Sequence, residues 1–287
     1  MNRLESHALA PWAILVLLVA LSFSAFSLSL RDLMQIGIND PGKGYILLVP
    51  LVAAYLFWLR RSRLVGEMIG PSNYGPLIIL AGGIAYWIGI YFDLMFLWHA
   101  SGIIAIIGAV VTVFGHRLLA AFAPAFLVTF AMVPIPGRVQ IALAQPLQGF
   151  ASGFTAIVLD LVSVPAVRMG NTIEINGALV AVGEACNGMR LLVPLGLVMF
   201  VFVYSLPLKP AIRVSLLVAS VPVALICNVL RLVPTSLAYG YYPESAIFVH
   251  DVGGWMMLPL AIVILVTLVR VIEWLDISVS RWRLVTA

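Results

Sequence analysis

Three residues in the second half of the chain have side chains suited to acyl transfer: Cys186, Arg231 and His250. A thiolate attacks a carbonyl carbon, an imidazole carries protons near neutral pH, and a guanidinium stabilises charge that develops on an oxygen. Cys186 precedes a predicted helix and lies four residues before Arg190. A helix N-terminus and a nearby cation both lower the pKa of a thiol. The three residue types therefore predict a nucleophile, a proton carrier and a cation.

Each of these residues, taken alone, also has an ordinary structural explanation. A cysteine in an apolar chain usually packs in the core, and Cys227, in the middle of a predicted span, fits that role. A histidine near a helix start is often a cap, and an arginine at the end of a span often extends to lipid headgroups. The chemical prediction therefore depends on a fold that brings Cys186, Arg231 and His250 to one place.

The composition identifies the class of protein. The chain has 287 residues, of which 63% are hydrophobic and 10% charged, and its mean hydropathy is +1.11. Soluble domains are about 25% charged, so this chain cannot cover a water-facing surface. The net charge of +4 comes from thinly spread basic residues, and it does not predict binding to nucleic acid. We predict an all-α polytopic membrane protein, with residues 1–287 forming a single integral membrane domain.

Eight segments are apolar enough to predict membrane-spanning helices, since a crossing needs about 20 mostly apolar residues. They are Pro11–Leu30, Tyr45–Leu59, Pro76–Phe92, Leu97–Phe114, Leu118–Ile135, Met189–Leu206, Ala211–Leu232 and Gly253–Ile272.

An insert lies between the fifth and sixth predicted spans. Gln140–Val164 reads as an amphipathic or re-entrant helix, because polar residues interrupt its apolar ones. The following residues, Val167–Val182, alternate in character around Asn176-Gly177, and Asn-Gly between two β-prone runs is a strong hairpin signal. We predict a small extracytoplasmic hairpin that leads the chain into the segment around Cys186.

The distribution of lysine and arginine predicts the orientation in the membrane. With both termini in the cytoplasm, ten of the 16 basic residues lie inside, among them the cluster Arg60-Arg61-Ser62-Arg63. An excess of basic residues on the cytoplasmic side is the rule for multi-pass proteins of the cytoplasmic (inner) membrane. This orientation places Cys186, Arg231 and His250 together at the extracytoplasmic edge of the bilayer.

The motifs around these residues resemble those of a known family. They are Glu184-Ala185-Cys186-Asn187-Gly188-Met189-Arg190, Asn228-Val229-Leu230-Arg231 and His250-Asp251-Val252-Gly253-Gly254-Trp255, together with an earlier block that begins at Gly44-Tyr45. The order Cys, Arg, His, the N-x-x-R spacing and the Gly-Trp after the histidine resemble the exosortase/archaeosortase family of membrane-embedded cysteine transpeptidases. The likeness covers residues 45–275. Two positions depart from the family pattern, because Asn187 replaces a Ser or Thr and Lys43 replaces a His.

The resemblance implies a function. Such enzymes cleave C-terminally anchored substrates that carry a short motif such as Pro-Glu-Pro, a transmembrane helix and a basic cluster, known as PEP-CTERM signals, and they pass the protein to an acceptor. Carried over to this chain, Cys186 forms the acyl-enzyme, His250 protonates the leaving amine and Arg231 stabilises the oxyanion or positions the peptide. Asn228, Arg190, Glu184 and Asn187 are implied to support catalysis or substrate binding, with Arg190 a partner for the motif's glutamate.

Two other functions remain open at this point. Eight apolar spans are typical of a transporter, although a transporter would show repeated halves and intramembrane charges. A non-catalytic scaffold in exopolysaccharide or surface assembly is the second alternative. We predict no metal and no cofactor, because the histidines and cysteines lack ligand spacing and no glycine-rich phosphate loop follows a strand.

Overall fold

Eleven α-helices and one small sheet make up the described part of the computed structural model, residues 2–40, 42–63, 70–181 and 189–274. The chain divides into two compact units, Met1–Pro136 and Gly137–Ala287, which are described separately. The first unit contains seven of these helices: α1 (Asn2–Ala25), α2 (Ser27–Asn39), α3 (Tyr45–Leu59), α4 (Tyr74–Tyr91), α5 (Met95–Phe114), α6 (His116–Ala121) and α7 (Ala123–Thr129).

Helices α4 and α5 form a hairpin whose close packing depends on glycine. Gly89 lies against the backbone of Trp98, and a Cβ atom at Gly89 would be 2.6 Å from the Trp98 nitrogen. Gly82 makes a similar approach to Ser101 and Ala105, since a Cβ atom there would lie 2.9 Å from the Ser101 oxygen. Small residues that let helix backbones approach are the usual means of helix packing in membranes, where no hydrophobic driving force acts between helices.

The second unit contains four helices and the sheet: α8 (Gly137–Leu161), β1 (Ala166–Met169), β2 (Thr172–Ile175), β3 (Ala178–Ala181), α9 (Met189–Ser205), α10 (Pro210–Tyr241) and α11 (Pro243–Trp274). Apolar residues of α9, α10 and α11, including Met199, Val223, Cys227 and Met257, form one buried core. The free thiol of Cys227 is therefore a packing group, as its sequence position suggested.

The three strands form an antiparallel meander in the order β1-β2-β3. Asn176 and Gly177 make the turn between β2 and β3, with φ angles of 52° and 79°. Left-handed φ at both central residues is the feature that makes Asn-Gly favourable in a two-residue hairpin turn. Ile173 and Ile175 on β2 are fully buried with Leu232 of α10 and Leu159 of α8. The meander therefore packs on both helices.

Five helices in the described residues are long and apolar enough to span a membrane. They are α4, α5, α8, α10 and the Pro243–Ile272 part of α11. A sixth candidate is the pair Pro11–Ala25 and Ser27–Asn39, which bends by 76°. The structure thus supports a polytopic helical membrane protein with five or six candidate spans in the described residues, and the predicted count of eight is not confirmed.

The differences have physical causes. The first predicted span bends near Phe26, and the fifth, Leu118–Ile135, is divided between α6, α7 and a 3₁₀ turn. Phe122, fully buried and stacked on Phe57, separates α6 from α7, and Pro124 favours a new helix start. The predicted amphipathic helix is a 25-residue helix that qualifies as a candidate span. The predicted hairpin gains a third strand, β1, and its side of the membrane stays a prediction.

Replacing Gly89 with alanine tests the α4–α5 contact. The added methyl group meets backbone atoms that cannot move independently, so we expect Gly89→Ala to destabilise the protein by about 1–3 kcal/mol. Gly83→Ala is the matched control, because a Cβ atom at Gly83 meets nothing within 4 Å. Thermal unfolding in detergent measures both variants. Equal stability of the two variants would contradict the close contact between Gly89 and Trp98.

Candidate active site

Arg231 is a nearly buried cation on α10, with 7% of its surface exposed. Its Nη2 atom donates a hydrogen bond to Oδ1 of Asn228 at 3.2 Å, and Asn228 is itself only 3% exposed. Residues three apart lie on the same face of a helix, so the N-x-x-R spacing forms this contact directly. One turn further on, the Thr235 hydroxyl donates to the Arg231 carbonyl oxygen at 2.8 Å. The asparagine oxygen therefore supplies one neutral acceptor for the guanidinium.

Helix α11 provides the surface against which the Arg231 side chain lies. A Cβ atom at Gly253 would be 2.8 Å from Arg231 Cγ, whereas one at Gly254 would come no nearer than 4.0 Å, to Nη1. Tyr242 joins α10 to α11, and Arg231 and Gly253 each lie eleven residues from it, as expected for an antiparallel helical hairpin. Gly253 therefore leaves the space that the arginine methylenes occupy.

His250 lies on the same face of α11 as Gly253, one turn before it. It is half-buried, and the charge of Arg231 acts on its imidazole. The predicted proton carrier and the predicted cation are therefore neighbours on facing helices.

The start of α9 lies level with this pair. Arg213, near the beginning of α10, donates through Nε to the Val203 carbonyl oxygen at 3.1 Å, so α9 and α10 run antiparallel. Met189 lies fourteen residues before Val203, and Cys227 lies fourteen residues after Arg213. Since both helices rise about 1.5 Å per residue, Met189 is level with Cys227, one turn from Arg231.

The meander is attached to the far end of α10. The Asn176 side chain donates through Nδ2 to the Gly240 carbonyl oxygen at 3.1 Å. Gly240 also lies directly against Ile175, because a Cβ atom there would be 3.0 Å from the isoleucine Cβ. The residue that ends β3, Ala181, and the residue that begins α9, Met189, thus both belong to elements packed on α10.

Not every predicted site residue falls within the described part of the chain. Cys186, Glu184 and Asn187 lie outside the described residues, and so does the side chain of Arg190, whose backbone belongs to the first turn of α9. The described part holds no group of three or more His, Cys, Asp or Glu able to bind a metal ion.

A scan against protein families matches residues 37–267 to the model of the transmembrane exosortases. The match covers most of the chain and includes Cys186, Arg231 and His250. The chain belongs to the exosortase family. The resemblance stated from its motifs is therefore confirmed, and this exosortase is a membrane protein of that family. No curated protein and no solved structure shows significant similarity to it.

One polar pair in this exosortase was not predicted from the sequence. In the first unit, His99 on α5 is 4% exposed, and its Nε2 atom lies 2.7 Å from Oδ2 of Asp32 on α2. A histidine inside an apolar span is costly and needs a polar partner, so His99 itself was a signal in the sequence that such a partner exists. The sequence did not identify the partner, because Asp32 lies 67 residues away in the chain.

Substituting Asn228 tests its role as the acceptor for Arg231. Asn228→Leu keeps the side-chain volume but removes the amide oxygen, so we expect a loss of about 1–3 kcal/mol from a less well satisfied buried charge. Ser220→Ala is the control on the same helix, since that hydroxyl bonds only to its own helix at Leu217. Equilibrium unfolding of the purified protein measures the difference. An Asn228→Leu protein as stable as the control would refute the proposed contact.

Proposed function

We propose that this exosortase is a cysteine transpeptidase or peptidase that cleaves the C-terminal sorting signals of exported proteins. Its substrates carry a short motif of the Pro-Glu-Pro type, a transmembrane helix and a basic cluster. It transfers them to an envelope or extracellular acceptor. The observation that carries the proposal is the Asn228-held Arg231 beside His250, at the level where α9 begins.

Chain geometry supports a position for Cys186 near this pair. Cys186 is three residues before Met189, so its Cα atom lies within about 11 Å of the Met189 Cα. Met189 is level with the α10 turn that precedes Arg231, and the other end of the segment, Ala181, is attached through the meander to α10. These two attachments limit how far Cys186 can lie from Arg231, which supports its proposed role as the nucleophile.

The reaction proceeds in two acyl transfers. Cys186 gives its proton to His250, and the thiolate sulfur attacks the scissile carbonyl carbon, forming a C–S bond and a tetrahedral oxyanion that faces Arg231. The C–N bond then breaks as His250 returns the proton to the leaving amine. An acceptor amine or water loses a proton to His250 and attacks the thioester, and the C–S bond breaks to release the product and the thiolate.

Three further residues are proposed to assist. Glu184 pairs with Arg190 or Arg231, Asn187 contacts the substrate beside the nucleophile, and Arg190 lies at the rim of the site. These roles follow from the family resemblance and from their positions next to Cys186 in the sequence.

We place the site at the extracytoplasmic face of the cytoplasmic membrane, with both termini inside. Helix α10 has 32 residues and is therefore about 48 Å long, against about 30 Å for the hydrocarbon core. If α10 enters the core near Pro210, it leaves the core after about 20 residues, close to Leu230. Arg231 then lies at the boundary with water, which an exported substrate can reach.

Replacing Cys186 tests the thiol mechanism. We expect Cys186→Ala and Cys186→Ser to abolish processing of a co-expressed tagged substrate that carries a Pro-Glu-Pro signal, because neither side chain provides a thiolate. The Cys227→Ala variant, which lacks the thiol in the core, should still process the substrate. The size shift on a gel and the amount of enzyme in the membrane are measured together. Full processing by Cys186→Ala would eliminate the proposed nucleophile.

Substitutions at two adjacent glycines distinguish a change in the position of Arg231 from a general change in the packing of α11. Gly253→Ala forces the Arg231 methylenes to move, and a displaced catalytic group costs up to about 100-fold in rate. We expect Gly253→Ala to lower kcat more than tenfold and Gly254→Ala to stay near wild type. Initial processing rates in membranes with matched enzyme levels give the comparison. Equal rates for the two variants would show that the position of Arg231 does not limit catalysis.

A further inference from the structure

Arg168 on β1 is an exposed cation held in a fixed orientation against α8. Its Nε atom donates to Ser152 Oγ at 3.0 Å and to the Gly170 carbonyl oxygen at 2.9 Å, while Nη2 donates to the Gly149 carbonyl oxygen at 3.0 Å. These acceptors are all neutral. The side chain is therefore held in place by neutral groups, and none of these contacts is an ion pair.

The contacts occupy only one edge of the guanidinium. They engage the edge formed by Nε and Nη2, and in the described residues no protein acceptor bonds to Nη1. The closest helix position is Gly153, where a Cβ atom would lie 3.2 Å from Nη1. Gly153 leaves the space that Nη1 occupies, and the second edge of the guanidinium is formed by Nη1 and Nη2. Two parallel N–H groups on such an edge match the two oxygens of a carboxylate.

No carboxylate within the described part of the chain takes this place. The ion pairs there join Lys43 to Asp40 and His99 to Asp32, all in the first unit. On the sheet, Glu174 pairs with Val167, so it points to the face opposite Arg168, which pairs with Ile173.

The meander places Arg168 on the same face of the sheet as a residue that is buried with α10. Arg168 pairs with Ile173 across β1 and β2, so the two side chains share one face and their Cβ atoms lie about 5 Å apart. Ile173 is buried together with Leu232, the residue that follows Arg231 on α10. This pairing therefore brings Arg168 toward the turn of α10 that carries Arg231.

We propose that the Nη1–Nη2 edge of Arg168 binds a carboxylate of the substrate's sorting motif and so selects motifs with an acidic residue. The inference rests on the function proposed above. In this proposal Arg168 is a specificity-determining residue and takes no part in the chemical steps.

Peptide binding tests this without turnover. Full-length protein carrying Cys186→Ala is placed in nanodiscs of neutral phosphatidylcholine, and fluorescence anisotropy follows a labelled peptide containing Pro-Glu-Pro or Pro-Gln-Pro. We expect the glutamate peptide to bind about tenfold more tightly, as for a charge-assisted bidentate pair. Adding Arg168→Gln should remove this preference and leave the affinity for the glutamine peptide unchanged, which also shows that the fold is intact.

Charge reversal and one control arginine make the result specific. Arg168→Glu should reverse the preference toward a Pro-Lys-Pro peptide, and Arg138→Gln, an exposed arginine at the start of α8, should keep the wild-type preference. Equal binding of the glutamate and glutamine peptides by the protein with Arg168 would overturn the inference. The inference would also be overturned if Arg168→Gln lost affinity equally for both peptides, or if the preference for the glutamate peptide depended on Arg190 instead. Because the nucleophile is absent throughout, these outcomes are independent of whether Cys186 catalyses processing.

Discussion

The buried charge of Arg231 is the constraint on which the rest of the second unit depends. A guanidinium that is 7% exposed on an apolar helix costs several kcal/mol unless acceptors surround it. Asn228 supplies one acceptor from the same helix face, and Gly253 lets α11 approach closely enough to cover the methylenes. The amide oxygen is a neutral acceptor. In the proposed mechanism the guanidinium that it holds acts on a developing oxyanion.

The same helix also supports the elements that precede and follow the segment carrying Cys186, the proposed nucleophile. The meander is anchored at Gly240, and α9 runs antiparallel to α10 from Met189, so the elements on both sides of Cys186 use α10 as their common support. Catalytic groups held by rigid elements avoid the large rate penalty of misplacement. In this exosortase α10 and α11 place Arg231 and His250, which are 19 positions apart in the sequence, on facing helices.

Local patterns predicted the local features well. The bounds of α3, the Asn176-Gly177 turn and the shared face of Asn228 and Arg231 all follow from nearest-neighbour rules, and the structure has each of them. Features that depend on distant partners were missed. Helix α11 begins ten residues before Gly253, the predicted start of its span, and α10 continues nine residues past Leu232, the predicted end of its span. The last turns of α10 pack on Ile175 and Asn176 of the meander. No single-segment hydropathy signal reports such a partner, and the same holds for the Asp32–His99 pair.

Two arginines of the second unit, Arg168 and Arg231, differ in burial as their proposed roles require. Interactions made equally with substrate and transition state lower KM, and only those that strengthen in the transition state raise kcat. Arg168 is exposed, held by neutral acceptors and open along one edge, so it can bind a carboxylate that does not change during the reaction. Arg231 is buried beside His250, where its charge is less screened than at the surface; in the proposed mechanism it acts on an oxyanion that exists only during bond exchange. In these proposals a difference in burial therefore distinguishes recognition by Arg168 from catalysis by Arg231.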